Sequence, residues 1–68
     1  MAELWAALRP SGRLVANVVS TKGERTVLDW QAQHGGELTR ISVETAGPIG
    51  SFTGWTPARA VTQWAVTK

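Results

Sequence analysis

Apolar positions along the chain come in short runs whose spacing changes from one run to the next. Leu4 and Leu8 stand four apart within residues 2–9, AELWAALR, a set of strong helix formers with one apolar face, so a short helix is predicted there. Pro10 cannot continue a helix, and Ser11-Gly12 supplies a turn. Residues 13–19, RLVANVV, are apolar at both alternating sets of positions, with Asn17 the one polar interruption after Arg13. That pattern predicts a strand covered on both faces, as in a parallel sheet. Thr21 and Glu24 then have capping-box spacing and open a predicted helix that runs to His34, with Val27, Leu28 and Ala32 turned to one side. Gly35 is placed to cap its C-terminus.

Residues 37–45, ELTRISVET, alternate and are rich in branched side chains, which predicts a strand. Residues 46–57, AGPIGSFTGWTP, hold three glycines and two prolines and read as a long loop. The end, RAVTQWAVTK, fits two patterns. As a helix, Thr56 caps and Ala60, Val61, Trp64 and Ala65 line one face; as a strand, Ala60, Thr62, Trp64 and Val66 alternate. Its residue types favour the strand, at 61–67. An all-β meander also fits. Glycines punctuate the chain about every 12 residues, and Thr26, Leu28, Trp30 and Ala32 alternate as a strand would. The pattern alone leaves α/β and all-β both open.

Composition narrows the options. The chain has 68 residues, 43% hydrophobic and 18% charged, with no cysteine and one histidine, so disulfides and a Cys/His zinc site are excluded. A domain of this size buries only about 60% of its unfolded surface and needs ideal packing, self-association or a larger body around it. Seven basic and five acidic residues are scattered singly, unlike the clustered charge of a nucleic-acid module. No window approaches about 18 consecutive apolar residues, and the N-terminus lacks a signal-peptide pattern, so the expectation is a cytoplasmic chain without a membrane partner.

Most catalytic signatures are missing. No phosphate-cradling glycine loop occurs, and His34 has no second ligand or nucleophile partner in the pattern. His34, before two glycines at a helix end, suits the negative pole of the helix dipole. Trp5, Trp30 and Trp64 are expected in the core. Trp55 lies with Phe52 in the glycine- and proline-rich stretch, where ligand contact is a stronger alternative. Arg59 offers a planar fork for a carboxylate, against the plainer reading of a solvated surface arginine. Asn17 sits at the end of an apolar strand, and open α/β sheets bind ligands outside the carboxyl ends of their strands.

The phrase from Leu8 to Asn17, LRPSGRLVAN, resembles the helix–turn–fifth-strand passage of Rossmann-like S-adenosylmethionine-dependent methyltransferases. HGGELTRI at 34–41, GPIG at 47–50, GWTPA at 54–58 and VTQW at 61–64 narrow it. Together, in order and over essentially the whole chain, they resemble the C-terminal end of the precorrin-6Y C5,15-methyltransferase (decarboxylating) family of cobalamin biosynthesis. The resemblance implies an α/β fold, the C-terminal portion of a Rossmann-like methyltransferase sheet: helix 2–9, strand 13–19, helix 22–34, strand 37–45, a long loop, and a last strand running antiparallel between the two before it. Residues 1–68 would then be a C-terminal fragment of a methyltransferase domain, its cofactor-binding N-terminal half absent. Such a piece alone is expected neither to bind S-adenosylmethionine nor to turn over. Ser11 stands where the family often has glycine.

In that family, methyl groups pass from S-adenosylmethionine to C5 and C15 of a precorrin, with loss of carbon dioxide from the C12 acetate. The part resembled belongs to the domain associated with C15 methylation and decarboxylation. A carboxylate-rich, tetrapyrrole-derived substrate calls for arginine and aromatic walls, so the resemblance makes Asn17, Phe52, Trp55 and Arg59 substrate-binding candidates; no residue is assigned to catalysis, cofactor or metal. The isolated piece is expected to self-associate through its unpaired sheet edge. The competing expectation is a free-standing, non-enzymatic protein- or nucleic-acid-binding module that dimerises to complete its core.

Overall fold

The computed structural model describes all residues from Met1 to Lys68. Its elements run α1 (Ala2–Ala7), β1 (Arg13–Val18), α2 (Thr21–His34), β2 (Glu37–Ile41), β3 (Glu44–Ile49), β4 (Phe52–Pro57) and β5 (Val61–Thr67). β1, β5 and β2 form a three-stranded sheet in that order, and β3 pairs with β4 in a separate two-stranded sheet. β5 is antiparallel to both neighbours, so β1 and β2 run the same way on either side of it. The α/β class and the inserted antiparallel last strand match the expectation. The all-β meander falls, because residues 21–34 are helical and the alternation from Thr26 to Ala32 is incidental.

Helix α1 stops at Ala7, two residues short of the predicted end. Pro10 forces the backbone before it out of helical angles, and Leu8 is already extended at ψ 124°. Lys68 reaches back from beyond β5, and its Nζ donates to the Trp5 and Leu8 carbonyls at 2.7 and 2.8 Å. The cap of α2 lies one residue earlier than the Thr21–Glu24 spacing implied. Ser20 is the N-cap, its Oγ accepting from the Gly23 amide at 3.0 Å, and the Glu24 carboxylate is drawn away to Arg40. Gly35 does terminate the helix, at φ 73°. Gly36 follows at φ 95°, and a Cβ there would meet the Ala65 carbonyl at 2.5 Å. Only glycine lets β2 leave α2 so close under β5.

The core centres on Trp64, Val27 and Val66, all buried, with Trp5, Leu14, Ala16, Val18 and Trp30 packed around them. Trp64 sits at the middle of the middle strand, opposite Ala16 and Leu38, and its indole N–H donates to the Gly35 carbonyl at 2.8 Å. The buried side of α2 follows Gly23, Val27, Trp30 and Gln31. The predicted Leu28 and Ala32 are exposed. Val27 and Leu28 are neighbours, about 100° apart on the helix, and the sheet takes the Val27 line. Within this chain β1 is covered on one side only. Leu14, Ala16 and Val18 are half-buried, while Val15 and Asn17 face outward.

Two further corrections concern the C-terminal half. The predicted strand 37–45 breaks at Ser42-Val43, and the predicted loop 46–57 is the hairpin β3–β4. Its turn is Gly50-Ser51, with positive φ (58°) at Gly50 only, the pattern of a II′ turn. Counting from the closing Ile49–Phe52 pair, alternation puts Pro48 and Pro57 in non-hydrogen-bonded pairs, where a missing N–H costs the ladder nothing. Gly47 and Gly54 face each other, and Ile49 folds over the space a Cβ on Gly54 would fill. The arm projects: the molecule measures 55 × 22 × 17 Å, and its radius of gyration, 16.3 Å, exceeds the roughly 11 Å of a compact chain this long.

Candidate functional site

β1 and β2 run in the same direction, so their carboxyl ends share one end of the sheet. The N-terminus of α2, the root of the hairpin and the start of β5 lie there too. Asn17, second to last in β1, and Arg59, in the connection from Pro57 to Val61, are therefore brought to a common end. Arg59 is exposed and makes no ion pair. Trp55 lies two positions up the arm from its root at Pro57, about 7 Å along the strand, and Phe52 about 17 Å. Register also separates the two rings. Trp55 opposes Ala46 and Phe52 opposes Ile49, an odd number of pairs apart, so they stand on opposite faces of the hairpin. Phe52 and Trp55, both substrate-binding candidates, therefore share no face of the arm, and both rings are open to solvent, 78% and 67% exposed.

Asn17 lies directly opposite Gln63, which in turn lies opposite Thr39. These three form a polar row across the sheet face that α2 leaves open, and Gln63 Nε2 donates to Asn17 Oδ1 at 3.0 Å. Sequence reading singles out only Asn17. The signal for Gln63 is present, since it is the single amide in an otherwise apolar and threonine-rich strand.

On the covered face, Glu24, Arg40 and Thr62 make a second network that the sequence reading misses, having assigned Glu24 to a cap. Arg40 Nη2 donates to Glu24 Oε1 at 2.6 Å, Arg40 also donates to Thr62 Oγ1, and Thr62 donates to Glu24 Oε2 at 3.4 Å. With side chains 59% and 32% exposed, the ion pair contributes on the order of 1 kcal/mol at most. It ties the first turn of α2 to β2 beside a hollow of about 160 Å³. A larger hollow, about 320 Å³, is lined by Arg13, Gly36, Glu37, Ala65, Val66 and Thr67, toward the opposite end of the sheet. Neither hollow includes Asn17, Phe52, Trp55 or Arg59.

His34 stacks on Trp30 and meets Trp5 at a tilt, ring centroids 5.1 and 4.2 Å away, the three rings forming a triangular cluster. Its place is in the aromatic packing of α1 on α2, at the helix end that favours a cation. No group of three or more potential ligands converges to hold a metal, and no helix is long and apolar enough to cross a membrane. The single strand-to-helix crossing, from Val18 to Thr21, carries no glycine fingerprint, and Ser20 already occupies the start of α2.

Comparison with known proteins gives a consistent picture. The model of the precorrin methyltransferase domain family matches residues 1–68. A Sinorhizobium protein named precorrin-6Y C(5,15)-methyltransferase [decarboxylating] is 56% identical over 62 residues, covering 91% of this chain and 15% of its own length. The Mycobacterium tuberculosis protein of the same name is 44% identical over 62 residues, covering 91% of this chain and 16% of its own. The crystal structure of the C-terminal domain of precorrin-6Y C5,15-methyltransferase from Rhodobacter capsulatus superposes with a TM-score of 0.91 at 37% identity, over 98% of this chain and 36% of that one. The chain thus spans about 15% of the length of the curated relatives it matches. These matches do not favour the free-standing binding module.

Proposed function

The chain belongs to the precorrin methyltransferase domain family, and from that premise we propose that it works as the C-terminal part of a precorrin-6Y C5,15-methyltransferase (decarboxylating) in cobalamin biosynthesis. In this reading residues 1–68 complete a Rossmann-like sheet whose earlier strands lie in the rest of the domain. S-adenosylmethionine is held mainly by that other half, where the methyl donor's chemistry also resides. This segment contributes the substrate side. Asn17 and Arg59 offer hydrogen bonds and charge to the carboxylates of a precorrin, and Trp55 offers an apolar face to the macrocycle. Phe52, at the far tip and on the other face, contacts substrate only if another part of the protein, or a second copy, brings substrate to it. Severed from its domain the segment self-associates, because β1 keeps one edge without a strand partner.

The observation that carries the reading is β5 lying antiparallel between β1 and β2, which gathers Asn17, Arg59 and the hairpin root at the carboxyl end of the sheet. The test is methyl transfer. The intact enzyme carrying this segment should move methyl groups from S-adenosylmethionine to a precorrin and release carbon dioxide, and Trp55→Ala and Arg59→Ala should each lower turnover at unchanged thermal stability. Methylation without any effect of either substitution would remove the substrate-side role from these residues.

A further inference from the structure

We draw no further inference here: the strongest candidate, the exposed apolar surface of the β3–β4 arm around Ile49, Phe52 and Trp55, carries none because nothing in the structure shows what covers it.

Discussion

The three-stranded body and the β3–β4 arm are built from similar residues yet held together in different ways. In the body, alternate side chains of β5 point at α2, and Thr62, Trp64 and Val66 are all buried. In the arm, every position is exposed except Gly47 and Gly54, which are half-buried. Ile49, Phe52 and Trp55, with the largest hydrophobic side chains on the arm, are more than half exposed and are divided between its two faces. A lone two-stranded hairpin is marginal in water. The body therefore carries its reason for folding inside this chain. The arm carries apolar surface that nothing else in this chain covers.

The difference can be broken or sharpened by substitution. Trp64→Ala empties the centre of the body and orphans the Gly35 carbonyl, and should cost about 3–5 kcal/mol, read as a lost or sharply lowered unfolding transition. Gly36→Ala should cost about 1–3 kcal/mol, because a Cβ at φ 95° meets the Ala65 carbonyl; a neutral result would show that the α2–β2 junction relaxes. Trp30→Ala, at the half-buried rim, should also act mainly through stability. Ser11→Gly should stabilise by about 1 kcal/mol, since Ser11 is the one non-glycine residue at positive φ, 69°. In the arm, Phe52→Ser should leave the body's unfolding midpoint within about 0.5 kcal/mol of wild type, as expected for a side chain that packs on nothing in this chain. A large loss there would mean that the arm supports the body after all.

How much is legible in the sequence follows the same division. The strand at Val61–Thr67, the helix ending at Gly35 and the burial of Trp64 are readable because local pattern and tertiary packing agree there. The Thr21–Glu24 box misleads because Ser20 competes for the same cap and Arg40, distant in sequence, takes the carboxylate. The arm misleads as long as glycine and proline are counted rather than placed. Gly50-Ser51 between Ile49 and Phe52 is a two-residue hairpin turn, and Pro48 and Pro57 fall where the ladder needs no donor. The relation of Phe52 to Trp55 is hidden for the same reason. Once the stretch is a strand, an odd spacing of three puts the rings on opposite faces. Asn17 and Gln63 are each readable as a lone amide in an apolar strand, whereas their pairing becomes visible only with the register.

The most direct test of the account compares Trp55→Ala with Trp64→Ala in the intact enzyme, measuring methyl transfer to precorrin per folded molecule alongside the thermal midpoint. The account predicts that Trp55→Ala keeps the wild-type midpoint and loses about tenfold or more in turnover, while Trp64→Ala lowers the midpoint and keeps near-normal turnover in the molecules that remain folded. The reverse would contradict it: a midpoint lowered by Trp55→Ala with normal turnover per folded molecule would make the arm a structural brace rather than the substrate side of the site.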